Sequence, residues 1–219
     1  MKASRGTVLR SRIPGLNPEG MEKRRGLRQQ GFGFRSTTAE VLETDPIERG
    51  SDMKPGRVIE RKRILIVDDE KDVLESLTEI LDICRIDAAQ SFDEGKRLLE
   101  EKDYDVAILD IMGVDGFKLL EIANDRGIPA LMLTAHGLSE ENLKRAAQEG
   151  ASYYAPKDRM KDIDQFVADI IEAREQKKNV WVKWYERLSS FYDSRFTGPN
   201  WRAKDKEFWD QKLKEISPL

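Results

Sequence analysis

Cysteine and histidine each occur once in the 219-residue chain, as Cys84 and His136. A single thiol cannot close an internal disulfide, and one Cys with one His cannot make a closed zinc site. A reducing, cytoplasmic setting is the expectation. No stretch approaches the roughly 18 apolar residues that span a bilayer. The basic residues at the start are not followed by an apolar core, so neither export nor membrane insertion is expected. No charge sign dominates either, since 38 Lys and Arg face 41 Asp and Glu. A net charge of −3 gives no global attraction to nucleic acid or anionic lipid, and any such partner would need a local patch.

Periodicity is missing from residues 1–60. This stretch is rich in Arg, Gly and Ser, and Pro14, Pro18, Pro46 and Pro55 interrupt it. The expectation is a disordered, solvated basic tail. Its first 35 residues carry nine Lys or Arg against Glu19 and Glu22. Met53, just ahead of the first apolar run, is a candidate natural start.

From Arg63 the texture changes. Ile64 to Val67, Ile86 to Ala89, Val106 to Leu109, Ala130 to Leu133 and Ser152 to Ala155 are short apolar runs, as expected of strands covered on both faces. Between them lie helical patterns: Val73, Leu74, Leu77, Ile80 and Leu81; Gly95 to Glu100; Phe117, Leu119, Leu120 and Ile122; Leu138 to Gln148; and Ile163 to Ile171. Right-handed crossovers between parallel strands put helices on both sides of the sheet. The predicted fold for residues 61–178 is therefore α/β, a doubly wound five-stranded parallel sheet. Residues 179–219 continue no such unit. Trp181, Trp184, Tyr185, Leu188 and Phe191 recur at helical spacing, and Trp201, Phe208 and Trp209 follow. Two short helices joined near Gly198-Pro199, docked on the preceding domain, are expected. Basic residues interleave with these aromatics, but acids nearly match them, so DNA binding is disfavoured.

In an open parallel sheet the ligand site lies beyond the carboxyl ends of the strands. Asp68 and Asp69 close the first strand, Asp110 the third and Thr134 the fourth, while Lys157 follows Pro156 after the fifth. Carboxylates gathered at one rim repel unless a hard cation neutralises them, and Mg2+ is the natural candidate. Phosphoryl transfer asks the protein mainly for an in-line nucleophile and balanced charge on the phosphoryl oxygens. Asp110 suits the first role. Lys157 offers a point charge and Thr134 a hydroxyl donor for the second. Read singly, the acids are ordinary helix caps, and Asp68 or Asp69 is expected to cap the first helix in any case.

Together, Ile64-Leu65-Ile66-Val67-Asp68-Asp69-Glu70, Leu109-Asp110, Thr134-Ala135 and Pro156-Lys157 resemble the receiver domain of bacterial two-component response regulators over residues 61–175. The resemblance implies a flavodoxin-like strand order of 2-1-3-4-5 and phosphorylation of Asp110 by a histidine kinase or phosphotransfer protein. It implies that Asp69 binds Mg2+ directly and Asp68 through water, with Asp110 and the Met112 carbonyl completing the protein ligands. It also implies a switch in which Thr134 moves inward and Tyr154 follows. One departure stands out: the family has two more residues, often with a proline, where this chain reads Asp110-Ile111-Met112-Gly113-Val114-Asp115-Gly116. The shortening falls after Met112, so the ligands should survive.

His136 is read as a loop residue and Cys84 as a small buried thiol. Strand alternation sends one of Tyr153 and Tyr154 inward and the other outward. The functional expectation is a signalling switch acting through an unknown downstream protein, with no metabolic activity. Its alternatives are a receiver-shaped scaffold that works without phosphorylation and, less favoured, a DNA-binding regulator.

Overall fold

The computed structural model describes residues 55–135, 139–196 and 200–215. The expected disorder of the tail up to residue 54, and the positions of His136, Leu138, Gly198 and Pro199, lie outside them. Five strands, β1 (Arg63–Val67), β2 (Arg85–Ala89), β3 (Val106–Asp110), β4 (Ala130–Thr134) and β5 (Tyr153–Pro156), form one sheet in the order β2-β1-β3-β4-β5. Every pairing is parallel. The central strands β3 and β4 are buried at every position, which is why they read as unbroken apolar runs. At the edge, β2 carries Arg85 and Asp87 and is only partly covered.

Helices α2 (Lys71–Ile80), α3 (Phe92–Glu101), α4 (Gly116–Asp125), α5 (Glu140–Gln148) and α6 (Ile163–Gln176) connect or follow the strands, with a 3-10 turn over Lys157–Asp162. The chain turns from β1 to β2 and then back across to β3, so right-handed crossovers place α2 on one face and α3 and α4 on the other. Accordingly α3 packs on α4, whereas α6 meets α2. Ser91 and Ser139 cap α3 and α5 by accepting the backbone N–H groups of Glu94 and Asn142. The first crossover helix differs from expectation, because its cap residue is Glu70 and no side chain closes it. The Asp68 carboxylate instead accepts the Glu70 N–H at 3.0 Å, held in the turn that leads to the helix.

Two ends of the molecule depart from the sequence reading. Residues 55–60 are not tail. Pro55–Ile59 forms a short helix, α1, with Val58 and Ile59 buried and α6 against it. The Cys84 thiol donates to the Ile59 carbonyl at 3.3 Å and fastens this turn to the domain. At the other end, the first helix is not short: α7 (Val180–Arg195) runs 16 residues, and only α8 (Asn200–Lys204) and α9 (Lys206–Lys212) are brief.

The aromatic segment docks on the domain as expected. Trp181, Trp184, Trp201 and Trp209 are all buried, and Trp184 stacks on Trp209. Helix α7 lies along α6 and the free edge of β5. Among the described residues no sixth strand pairs with β5, and an exposed edge of unpaired backbone groups invites aggregation. Here the Tyr154 carbonyl accepts the Trp184 indole N–H at 2.7 Å and the Tyr192 hydroxyl at 3.2 Å. The Trp181 indole donates to the Ala151 carbonyl at 3.2 Å. Tyr153 and Tyr154 are consequently both buried, contrary to the in-and-out expectation. Alternation still separates their partners, Phe166 for Tyr153 and Tyr192 for Tyr154, but helices cover both sides. Beneath α7 the fully buried Asp169 is held by Arg187, which adds a second bond at 3.0 Å, and by Lys183 at 3.5 Å. No helix among the described residues is long and apolar enough to cross a membrane.

Candidate phosphoacceptor site

The carboxyl ends of β1, β3 and β5 bring Asp68, Asp110 and Lys157 to one rim of the sheet. Asp110 is the last residue of β3, and Asp68 follows the last residue of β1. The Lys157 ammonium lies 2.8 Å from Asp68 Oδ2, 3.1 Å from Asp110 Oδ1 and 2.7 Å from Glu70 Oε1. Its side chain is only 11% exposed and that of Asp68 1%. On the other side of Asp110, Oδ2 accepts the backbone N–H groups of Met112 at 2.9 Å and Gly113 at 3.0 Å. One oxygen therefore faces a cation while the other is anchored by the loop. These bonds fix the carboxylate plane, which is what an in-line nucleophile requires.

The shortened loop depends on two glycines. Gly116 begins α4 so close to β3 that a Cβ there would lie 2.0 Å from the Asp110 carbonyl oxygen. At Gly113 the space a Cβ would take is filled by the Asp69 carboxylate, whose Oδ1 would be 1.8 Å away. Asp115, between them, accepts a left-handed backbone with φ 52° to complete the tight return. The tight return leaves Asp69 in the cleft, which Asp69, Glu70, Asp110, Met112, Gly113, Ala135 and Lys157 line.

The response regulator receiver domain model matches residues 64–168. This part of the chain belongs to the response regulator receiver family. Among curated relatives, the heme response regulator HssR of Staphylococcus aureus (strain Newman) is 38% identical over 98 residues, 42% of this chain and 43% of that protein. The chain therefore spans less than half the length of that relative. Similar solved structures include a CheY-like receiver domain protein from Methanospirillum hungatei JF-1, 30% identical over 51% of this chain and 97% of that one, with a TM-score of 0.44. Another is a receiver domain protein from Clostridium thermocellum, 27% identical over 52% and 98% of the two chains, with a TM-score of 0.48.

Within the receiver domain, burial pushes the Asp68 carboxyl above its usual value, and the Lys157 ammonium and the Glu70 N–H only partly offset it. For Lys157, burial works against the charged form. The three acids around it outweigh that loss and hold the ammonium above the ordinary lysine range. The donor set also bears on a divalent cation. Among the described residues no three acids, histidines or cysteines are gathered as a ready-made metal cage. The chemistry nevertheless fits a hard ion. The buried Asp68 Oδ2 has the Lys157 ammonium at 2.8 Å as its close partner, and Asp69 and Asp110 line the adjoining cleft, so hard carboxylate oxygens are the donors on offer.

The remaining candidates are spread more widely. Thr134 ends β4 with its side chain buried, and it is the next residue, Ala135, that lines the cleft. Met112 is 65% exposed and joins Asp110 through its backbone N–H. Tyr154 sits in the core, with burial pushing its phenol above the ordinary range and the Ser139 backbone beside the hydroxyl. Two residues of the site were not anticipated. Glu70 shares Lys157, and Gly113 both donates to Asp110 and makes room for Asp69. The unbroken Asp68-Asp69-Glu70 run and the glycine inside a shortened loop were the available signals.

Proposed function

We propose that Asp110 accepts a phosphoryl group from a phosphohistidine on a histidine kinase or phosphotransfer protein, and that the chain is a cytoplasmic signalling switch rather than a metabolic enzyme. The contact that carries this reading is Lys157 Nζ at 3.1 Å from Asp110 Oδ1, opposite the two loop N–H groups on Oδ2. Asp110 Oδ1 attacks phosphorus as the donor's P–N bond breaks, leaving an acyl phosphate here and a neutral imidazole on the donor. Lys157 then pairs with a phosphoryl oxygen, and the Thr134 hydroxyl is assigned to another. Later attack by water on phosphorus releases inorganic phosphate and restores the carboxylate.

Asp68, Asp69, Asp110 and the Met112 carbonyl are the residues assigned to Mg2+. The ion would supply positive charge to phosphoryl oxygens as they shift between donor and acceptor. Burying Asp110 among donors keeps it oriented, and the open side of the cleft admits the phosphodonor. The downstream contacts are assigned to protein rather than nucleic acid. The aromatics that would stack on bases are buried in the docked extension.

A second reading, a scaffold that binds without phosphorylation, has one observation in its favour. Lys157 is already shared among Asp68, Glu70 and Asp110, so the acids of the site have a cation of the protein's own between them. Incubation with acetyl phosphate and Mg2+, followed by intact-mass measurement, separates the two. The switch requires an added phosphoryl mass that is absent without Mg2+ and absent from Asp110→Asn. An unchanged mass under all conditions favours the scaffold.

A further inference from the structure

The strand that delivers Lys157 to the phosphoacceptor also carries the docking points of the C-terminal helices. Three residues before Lys157, the Tyr154 carbonyl accepts hydrogen bonds from Trp184 and Tyr192 of α7. One residue after it, the Asp158 carboxylate pairs with Arg195, in the last turn of α7, at 2.8 Å. Helix α7 is thus fastened on both sides of Lys157, to β5 before it and to the 3-10 turn after it. The Asp158–Arg195 pair is solvent-exposed and contributes little energy, so its importance is geometric. The buried bonds at Tyr154 hold the helix more firmly, because Trp184 and Tyr192 are both fully buried. A second set of ties runs to α5, where Lys144 pairs with Asp205 and Lys204 with Glu140. The same Tyr154 places its hydroxyl beside Ser139, the cap of α5.

We propose that α7, α8 and α9 are the built-in partner of the receiver domain and read the state of the Asp110 site within the same chain. The proposal rests on the phosphoacceptor reading above. A phosphoryl group on Asp110 draws Lys157 away from Asp68 and Glu70. Lys157 follows directly on β5, so that movement reaches the Tyr154 and Asp158 contacts and alters the seat of α7. Two packings of the extension, biased by contacts that exist in only one state of the site, are all this requires. Coupling of this kind is reciprocal, so loosening α7 must change how well the site holds a phosphoryl group.

All four tryptophans of the chain, Trp181, Trp184, Trp201 and Trp209, belong to these helices. Tryptophan emission of the full-length protein therefore reports on the extension, while the fluorine NMR signal of bound beryllofluoride reports on the site. With Mg2+ present, the expected result is an emission change that saturates together with the bound fluorine signal and is lost in Asp110→Asn. Bound beryllofluoride with unchanged emission overturns the intramolecular partner and leaves the phosphoacceptor reading standing. No bound signal at all overturns both. Tyr192→Phe removes one hydroxyl from the Tyr154 carbonyl, outside the site itself. Reciprocity predicts a shift of its half-saturating beryllofluoride concentration by about fivefold, the lower end of typical coupling. An unshifted value, with α7 still docked by its tryptophan emission, counts against the coupling.

Discussion

The Lys157 ammonium and the Asp110 carboxylate meet at 3.1 Å across the carboxyl ends of two non-adjacent strands, β5 and β3. Both side chains are largely withdrawn from water, so the pair is held by position rather than by chance encounter. Lys157 is also the cation that keeps Asp68 and Asp110 compatible at such short range.

Replacing Lys157 by Ala removes that cation and leaves buried acids facing one another. A loss of about 3 kcal/mol is expected, the order seen when one partner of a buried pair is removed. Urea unfolding measures it, and millimolar Mg2+ should restore part of the loss by supplying the missing positive charge. Stability equal to the parent protein would show that the pair is not what holds the acids together.

The two loop glycines should respond differently to alanine. At Gly116 the new methyl meets backbone, the Asp110 carbonyl oxygen. A destabilisation of about 2 kcal/mol is expected, which lowers Tm by roughly 4–8 °C. At Gly113 it meets the end of the movable Asp69 side chain, so the melting temperature should change little. The Mg2+ dependence of phosphorylation should weaken instead. Equal effects on both properties at both positions would contradict the assignment.

The Asp68 carboxyl is raised above its ordinary value of 3.8, chiefly by burial. A proton is thus held more tightly in the folded state than in the unfolded one. The stabilisation this gives is complete below pH 3.8 and is lost as pH rises through the folded value. At pH 7 the buried charge is a net cost, so Asp68→Asn should be more stable than the parent there and the difference should shrink near pH 3.5. Denaturant midpoints at the two pH values check this. A difference that grows on acidification would reverse the sign.

Burial raises the Cys84 thiol from 9.0 to about 11, and the thiol donates to Ile59 of α1. The contribution to stability is present below pH 9.0 and lost as pH passes about 11. In the folded protein, alkylation by iodoacetamide at pH 8 should therefore be much slower than in urea, because little thiolate is present. A folded-state rate matching the unfolded rate would mean that α1 does not seal the thiol.

Much of the domain is legible in the sequence. The apolar runs ending in Asp110 and Thr134 became β3 and β4 because a strand buried on both faces admits no polar residue until its end. The strand order that the receiver resemblance implies appears in the sheet. Residues 55–60 were misread because Pro55 and Gly56 dominate the local pattern, while the surface that buries Val58 and Ile59 belongs to α6, more than a hundred residues later. The cap at Asp68 was misread for a similar reason: its carboxylate is turned toward the site and the Glu70 N–H, a choice set by Lys157 from a distant strand.

Sequence alone determined the strand-helix alternation, the polar residues at the strand ends and the aromatic character of the last forty residues, because periodicity and residue type are local properties. Tertiary structure decided what those residues touch: Glu70 on Lys157, Asp69 in the space beside Gly113, and the indole of Trp184 on the open edge of β5. Such contacts join segments tens of residues apart, and their distances depend on how the whole sheet twists and packs, which no local pattern encodes.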